Sequence, residues 1–273
     1  MRGTLFYKMS GSGNDFVVLD GRATSPQLWS PERIREICDR RRGVGADGLV
    51  ILGPATAQSV RMLYWNADGS HGALCGNAAL CCGRLAVDLE LVPAGEFCLL
   101  TDAGVVRVAA GKGGEETEVN LPDTELPQDH RIDLRPGERW CSFGSVGVPH
   151  LVLAVDDVEK VDVTTRGREL RWHPSLGPAG ANVNFISPSG GSQPRLIRTY
   201  ERGVEDETLA CGTGTVAAAL AIASRNEAQF PLRFRSRGGS ELSVRAVYRG
   251  SQASEIWLGG EGRLVFRGVW EAA

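Results

Sequence analysis

The chain has 273 residues, with 30 basic and 33 acidic side chains and a formal net charge of -3. This length suffices for one large domain or two domains of ordinary size, and two is the better expectation. Both signs of charge are interspersed without a basic stripe, which argues against binding to nucleic acid or to an anionic membrane and favours a small-molecule partner.

Several further classes of protein and site are not expected. No apolar run approaches the roughly 20 residues of a membrane span, and the first residues lack the apolar stretch of a secretory signal, which predicts a cytoplasmic protein. The seven cysteines include no CxxC pair, and the four histidines are scattered without ligand spacing. We therefore expect neither a disulfide framework nor a metal site.

The predicted elements alternate along the chain. Short β-branched runs bounded by turn residues predict strands, whereas the first helix is predicted from the capping residue Ser30 followed by Pro31. Two later segments are apolar or small nearly all round, which is typical of a buried helix. In chain order, we predict a strand at 16–19, a helix from Ser30 to near Gly43, a strand at 49–52, a helix at 78–87, strands at 151–154 and 196–200, and a helix at 215–224.

The two halves of the chain repeat the same order of features, which indicates internal duplication. Four pairs of residues are separated by 134 to 136 positions: Gly13 and Gly147, Gly45 and Gly180, Asn66 and Glu201, and Cys75 and Cys211. We therefore predict an α+β fold of two similar pseudo-symmetric domains. Each is expected to be a mostly antiparallel sheet wrapped around a central apolar helix, with the active site in the cleft between the domains.

A polar, glycine-rich stretch near residues 109–128 predicts the crossover between these domains. We place an N-terminal domain at residues 1–120 and a C-terminal domain of similar fold at residues 121–262. Residues 263–273 could return to the first domain.

Cys75 and Cys211 each stand just before a predicted apolar helix. Unpaired backbone N–H groups and the helix dipole favour a thiolate at this place, and the glycine that follows each cysteine lets an anion approach closely. If the two domains face each other about a pseudo-twofold axis, one thiolate can remove an α-hydrogen while the opposed thiol protonates the other face. Paired helix ends would stabilise the developing charge without a cofactor.

The alternative for a cysteine before a glycine is a buried structural thiol. The repeat favours the functional interpretation for this pair. The remaining cysteines lack a repeat partner or lie inside an apolar helix, and they are expected to be structural thiols: Cys38, Cys81, Cys82, Cys98 and Cys141.

Eight motifs spread over nearly the whole chain resemble, in order, those of the diaminopimelate epimerase family. They are KMSGSGNDF at 8–16, GVGADG at 43–48, NADGS at 66–70, CGN at 75–77, GVPH at 147–150, NVNF at 182–185, ERG at 201–203 and CGTG at 211–214.

This resemblance implies conversion of LL-2,6-diaminopimelate to the meso isomer, in the biosynthesis of lysine and peptidoglycan precursors, without pyridoxal phosphate, another cofactor or a metal. It implies a catalytic set of Cys75, Cys211, His150 and Glu201, and a homodimer. The implied substrate-binding set is Asn14, Asn66, Gly76, Asn77, Asn182, Glu201, Arg202, Gly212 and Thr213.

The implied roles agree with the chemistry of the substrate, which carries an ammonium and a carboxylate at each end. Arg202 can bind a carboxylate through two hydrogen bonds, and Glu201 can bind an ammonium. The alternative interpretations are a surface ion pair for Glu201 and Arg202, turn residues for the asparagines, and a structural histidine at His150.

Three residues depart from the family pattern. Leu80 stands where an arginine is common, Val148 stands where many members have an asparagine, and Gly48 supplies no side-chain amide. The acidic loop at 203–208 is one residue longer than the common form, and we expect it to be solvated.

Other functions remain open from the sequence. The nearest are related enzymes on the same scaffold: a proline racemase, a hydroxyproline epimerase, a phenazine-biosynthesis-type isomerase or a histidine racemase. A non-catalytic amino-acid-binding relative and a structural thiol protein are the alternatives outside enzymes.

Overall fold

The structure, a computed structural model, describes residues 3–114, 116–188, 193–227 and 229–271. The chain divides into two compact units, Met1–Asn120 together with Gly259–Ala273, and Leu121–Leu258. The return to the first unit begins at Gly259, inside one long strand, Gln252–Trp270.

The first unit holds two α-helices, eight strands and the second part of the long strand Gln252–Trp270, counted over its described residues. The helices are α1 (Pro31–Cys38) and α2 (Gly76–Asp88). The strands are β1 (Thr4–Gly11), β2 (Asn14–Asp20), β3 (Gly48–Thr56), β4 (Ser59–Asn66), β5 (His71–Gly72), β6 (Gly95–Thr101), β7 (Gly104–Ala110) and β8 (Glu116–Leu121). Strands β2 and β3 pair in parallel, as do β4 and β6, whereas the pairs β1–β2, β3–β4, β4–β5, β6–β7 and β7–β8 are antiparallel.

The second unit has the same plan. Its helices are α3 (Val163–Arg171) and α4 (Gly212–Ser224). Its strands are β9 (Thr124–Glu125), β10 (Gln128–Asp129), β11 (Glu138–Val146), β12 (Val148–Val155), β13 (Asn182–Ser187), β14 (Arg195–Glu201), β15 (Asp206–Thr208), β16 (Leu232–Arg235), β17 (Glu241–Arg249) and the first part of β18 (Gln252–Trp270). The pairs β12–β13 and β14–β16 are parallel, and β11–β12, β13–β14, β14–β15 and β16–β17 are antiparallel.

The strand registers repeat as well as the strand order. Phe16 pairs with Gly48 in the first unit, and His150 pairs with Asn182 in the second. Both members of the second pair lie 134 positions after those of the first. The predicted α+β class with two similar units is therefore confirmed, and the sequence repeat is a repeat of structure.

Each unit wraps its sheet around one apolar helix. Helix α2 lies in a core with buried residues from β1 to β4 and from β6 to β8, and the side chains of Cys81 and Cys82 are fully buried in it. Helix α4 occupies the same place in the second unit, with every residue from Gly214 to Ala223 buried. Removing this apolar surface from water is the main stabilising contribution of both helices.

Two expectations about local structure were wrong. Helix α1 ends at Cys38 rather than near Gly43, because the Asp39 carboxylate accepts hydrogen bonds from the backbone N–H groups of Arg41 and Arg42 and turns the chain. Cys98 is only partly buried, since it lies on the opposite face of β6 from Phe97.

The close approach of β1 to α2 depends on a glycine. A Cβ atom added at Gly11 would lie 2.8 Å from Cys81 Sγ and nearer still to the carbonyl oxygen of Asn77. Gly11→Ala is expected to lower the free energy of unfolding by about 1–3 kcal/mol, because the helix would have to move outward. Urea denaturation measures this value.

Gly53→Ala, also in a strand of this unit, is the matched control. Its added Cβ would meet only Gly21, at an ordinary 3.5 Å, so a change below about 0.5 kcal/mol is expected. Equal destabilisation of the two variants would contradict this account of Gly11.

Candidate active site

Cys75 and Cys211 occupy the N-cap positions of α2 and α4 with nearly the same backbone conformation. Their φ and ψ angles are -132° and 122° for Cys75, and -132° and 108° for Cys211. The carbonyl group of each cysteine accepts the first helical hydrogen bond, at 2.9 Å. Both residues are partly buried. Two equivalent helix N-termini, where backbone N–H groups are available to an anion, thus each carry a thiol group.

The Cys211 thiol is held in its neutral form. Burial raises its pKa, and the nearby Glu201 carboxylate raises it further, while the backbone N–H groups of Gly214 and Thr213 and the Thr213 hydroxyl act in the opposite direction, leaving it at about 11. The sulfur lies 3.7 Å from Thr213 Oγ1. The helix terminus therefore does not by itself make Cys211 a thiolate, since the cost of desolvation is larger.

Asn14 and Asn77 form one polar cluster in the first unit. Asn14 Nδ2 donates to Asp47 Oδ2 at 2.9 Å, and Asn77 Nδ2 donates to Asn14 Oδ1 at 2.7 Å. The Asp47 carboxylate can only accept, which fixes the orientation of the Asn14 amide. Asn14 is thereby held against the first turn of the helix that Cys75 caps.

An ion network supports this cluster. Arg40 bridges Asp15 and Asp47 at 2.8 and 2.7 Å, and Lys8 bonds Asp15 at 2.6 Å. Burial alone would raise the pKa of Asp15, but the hydrogen bonds from Arg40 and Lys8 hold it well below its usual range. The Asp15 carboxylate therefore stays ionised at neutral pH.

Asn66 at the end of β4 is exposed, and both ends of its amide are bonded. Tyr64 Oη donates to Asn66 Oδ1 at 2.7 Å, and Asn66 Nδ2 lies 3.0 Å from Ser70 Oγ. The Tyr64 ring also fills the space beside Gly48, where an added Cβ would lie 2.7 Å from it. The missing side chain at Gly48 is therefore a consequence of this packing.

Asn182 and Arg202 are joined in the second unit. Asn182 is 4% exposed, and its Oδ1 accepts a hydrogen bond from the backbone N–H of Arg202 at 2.6 Å. The Arg202 side chain is partly buried. Asn182 thus fixes the backbone from which this cation projects.

Glu201 lies beside Cys211 and is only partly exposed. Burial raises the pKa of its carboxyl group, and a hydrogen-bonding contribution from Thr208 reduces this shift. A carboxyl group with a raised pKa next to a thiol is a typical proton-transfer arrangement.

His150 is completely buried. Its Nδ1 lies 3.2 Å from Asn184 Nδ2, and its Nε2 has no hydrogen-bond partner among the described residues. Burial lowers the pKa of His150 to about 3, with a further contribution from the positive charge of Arg202. The imidazole is therefore neutral at physiological pH.

The structure thus groups the predicted residues within each unit. Asn14, Gly76 and Asn77 lie together at the N-terminus of α2, and Glu201, Gly212 and Thr213 adjoin Cys211 at that of α4. The sequence analysis missed Asp47, Tyr64 and Asn184 as supporting residues. Asp47 and Asn184 lie within the motifs at 43–48 and 182–185. A polar residue at or next to a predicted strand was the feature that could have identified them.

Besides Gly48, two departures from the family pattern can be related to the structure: Leu80 and the acidic loop at 203–208. Leu80 is fully buried in the core around α2, where an arginine would lose its hydration. The acidic loop is not simply solvated: Glu207 forms a salt bridge with Arg198, and Glu205 forms one with Arg171.

Two features are absent from the residues that the structure describes. None of the helices there is long and apolar enough to cross a membrane. No group of three or more metal-binding side chains occurs among the same residues.

The neighbouring carboxylate gives a test of the Cys211 environment. Glu201→Gln is expected to raise the rate of Cys211 alkylation by iodoacetamide several-fold at pH 8, because loss of a negative charge lowers the thiol pKa. In the unmodified protein this rate should increase as the pH rises toward 11. Mass spectrometry of the Cys211 peptide measures both.

Glu205→Gln is the matched control, since it removes the same charge from the adjacent loop, where Glu205 pairs with Arg171. It should leave the alkylation rate near that of the unmodified protein. A rate unchanged in Glu201→Gln would show that Glu201 has no electrostatic effect on the thiol.

The sequence is similar to known proteins over most of its length. The model of a family described as diaminopimelate epimerase matches residues 6–125 and 143–252. A diaminopimelate epimerase from Gemmatimonas aurantiaca is 41% identical, with 96% of this chain and 98% of that protein aligned. Another from Chlorobaculum tepidum is 40% identical, with 96% and 99% aligned.

Solved structures with lower sequence identity share the fold. A PhzF-family phenazine biosynthesis protein from Bacillus anthracis superposes with a TM-score of 0.73 at 14% identity, covering all of both chains. A probable proline racemase from Agrobacterium radiobacter gives a TM-score of 0.64 at 19% identity, covering 99% of this chain and 93% of that one. At these identities the similarity concerns the fold alone.

Proposed function

Because the chain belongs to the diaminopimelate epimerase family, we propose that Cys75 and Cys211 are the acid and base with which it interconverts LL- and meso-diaminopimelate. The reaction inverts one α-carbon and serves the synthesis of lysine and peptidoglycan precursors. The observation that carries the proposal is the matching pair of cysteines, each at the N-cap of a buried apolar helix with the same backbone conformation.

The proposed reaction consists of two proton transfers, one to a cysteine and one from a cysteine, and it includes no redox step. One cysteine, as thiolate, takes the α-hydrogen and becomes a thiol, while the electron pair remains on the α-carbon and its carboxylate. The other cysteine, as thiol, then donates its proton to the opposite face and becomes a thiolate. The reverse reaction exchanges the two roles, so both cysteines are required for inversion.

The raised pKa of Cys211 fits this scheme. A neutral thiol is the form that donates a proton, and burial together with Glu201 keeps Cys211 in that form. The thiol is a weak acid, and it must keep its proton until the carbanion forms and then donate it. Glu201 assists this transfer, and His150 positions the reacting substrate.

Helix-end donors replace the electron sink that a cofactor would provide. The backbone N–H groups near Gly76 and Gly212, with the side chains of Asn77 and Thr213, bind the carboxylate at the reacting carbon. Its negative charge increases in the transition state, so donors fixed in advance stabilise the transition state more than the substrate.

The polar residues around the helix ends select a substrate with an ammonium and a carboxylate at each end. Arg202 binds a carboxylate, and Glu201 accepts from an ammonium group. Asn14, Asn66 and Asn182 supply further amide contacts.

Replacement of either cysteine tests the mechanism directly. Cys75→Ser and Cys211→Ser are each expected to lower the rate of inversion of LL-diaminopimelate by at least 10²-fold, roughly the value of one acid or base catalyst. Cys98→Ser, a change of another partly buried cysteine, is the matched control and should retain activity. Chiral separation of the products measures all three.

The same assay in deuterated water distinguishes the alternatives. Each single-cysteine variant should exchange the α-hydrogen of only one stereoisomer, because only one face retains a base. Exchange with proline and none with diaminopimelate would contradict the proposed substrate and indicate a proline racemase. Full inversion by both variants would exclude the two-cysteine mechanism, and no exchange by the unmodified protein would favour a binding protein.

We further propose that the protein acts in the cytoplasm as a homodimer, with a small amino-acid substrate and neither nucleic acid nor a membrane as partner. Light scattering after size-exclusion chromatography should give about twice the 29.3 kDa mass of one chain. A single species at the mass of one chain across the micromolar range would contradict the homodimer.

A further inference from the structure

The two structural repeats differ at one buried, polar group of side chains. His150, Asn184 and Thr199 of the second unit are exposed by 0%, 0% and 3%. Their counterparts in the first unit, by strand register and by the spacing of 134 or 135 positions, are Phe16, Val50 and Tyr64.

This difference has an energetic consequence. In the first unit the same positions form an aromatic contact between Phe16 and Tyr64, with ring centroids 6.2 Å apart, beside the fully buried Val50. The fold is therefore compatible with apolar residues at two of the three positions. Burial of polar groups there costs free energy unless each one is hydrogen-bonded, so a function beyond packing is expected for the histidine and the amide.

Asn184 makes three hydrogen bonds. Its Nδ2 donates to the carbonyl oxygen of Leu151 at 3.1 Å and lies 3.2 Å from His150 Nδ1, and its Oδ1 accepts from Thr199 Oγ1 at 3.0 Å. A carbonyl oxygen can only accept, so the atom that faces Leu151 must be the amide nitrogen. The second hydrogen of that nitrogen is then directed at His150 Nδ1.

This orientation determines the tautomer of His150. A ring nitrogen that accepts a hydrogen bond carries no proton, so a neutral imidazole must carry its proton on Nε2. A proton on Nδ1 would oppose the amide hydrogen of Asn184. The Nε2–H group is left without an acceptor among the described residues, and such a buried, unsatisfied donor calls for an explanation.

Gly214 places the amide of Asn184 next to the N-terminus of α4. A Cβ atom at Gly214 would collide with Asn184 Oδ1 and would lie 3.2 Å from Cys211 Sγ. The equivalent residue of the first unit, three positions after Cys75, is Ala78, which lies in one core with Val50, the counterpart of Asn184. The absence of a side chain at Gly214 thus makes room for Asn184 beside the reactive thiol.

We infer that Asn184 is a positioning residue that holds His150 as the neutral Nε2–H tautomer, so that this histidine donates a hydrogen bond to an acceptor atom of the bound substrate. Asn184 acts through His150 and does not touch the substrate. The catalytic part of this inference rests on the proposed epimerase function, whereas the tautomer does not.

Nitrogen-15 NMR of the full-length protein, labelled in its four histidines, tests the tautomer. Two-bond ¹H–¹⁵N correlations at pH 6 to 8 should show His150 with a protonated Nε2 and an unprotonated Nδ1. The signal is assigned by its loss in His150→Gln, or by elimination with single Gln variants of His71, His130 and His173. A protonated Nδ1, or an imidazolium, in the unmodified protein would overturn the inference.

Two variants then test the role of Asn184. Asn184→Asp replaces the donor with a carboxylate and should move the proton of His150 to Nδ1. Asn184→Ala removes the donor without adding charge and should give a mixture of tautomers. Thr199→Val is the matched control, since it removes the other partner of the same amide and should leave the His150 tautomer unchanged.

Kinetics connect the tautomer to the reaction. With diaminopimelate, Asn184→Asp should lower kcat by roughly 10²-fold with a smaller change in KM, and Thr199→Val should change kcat much less. Wild-type kcat in a variant whose Nδ1 is protonated would exclude a role in positioning. An inactive unmodified protein with the expected NMR pattern would instead refute only the epimerase function.

Discussion

The environment of the two cysteines depends on the burial of two apolar helices, whose first backbone N–H groups have no partner within the helix. Helices α2 and α4 are packed against their own sheets, which fixes the N–H groups of their first turns beside Cys75 and Cys211. Placing a cysteine at each N-cap brings an ionisable sulfur to a ready anion site. At Cys211, however, desolvation and Glu201 outweigh the helix end, and the thiol stays protonated.

The two repeats share a backbone and differ in their polar side chains. Asn14 of the first unit corresponds in spacing to Val148, and Asn182 of the second corresponds to Gly48. Each unit therefore presents an amide at a place where the other has none. A two-base reaction needs a symmetric pair of acids and bases, but the reacting end and the distant end of one bound substrate need different contacts.

The charges in the two units are also organised differently. In the first unit, Lys8 and Arg40 form ion pairs with Asp15, Arg40 also pairs with Asp47, and the Asp47 carboxylate orients the neutral amide of Asn14. In the second unit, the buried His150 is neutral and is oriented by the neutral amide of Asn184. Both arrangements keep the groups nearest the helix ends fixed in place, which is what stabilisation of a developing charge requires.

The sequence alone determined the repeat, the α+β class, the two buried helices and the two cysteines before them. These features are local or periodic: spacing, apolar content and residues next to glycine can be read along the chain. Strands β6 to β8, within residues 95–121, were not predicted from the sequence. Glycines and polar residues interrupt the apolar pattern of this segment.

The tertiary structure alone decided which side chains support these residues. Asp47 meets Asn14 across 33 positions, and Asn184 meets His150 across 34. Parallel pairing of β2 with β3, and of β12 with β13, creates both contacts. A hydrogen bond between strands depends on register and burial, and neither leaves a periodic pattern in the sequence, so the pairing and the neutral state of His150 follow only from the folded chain.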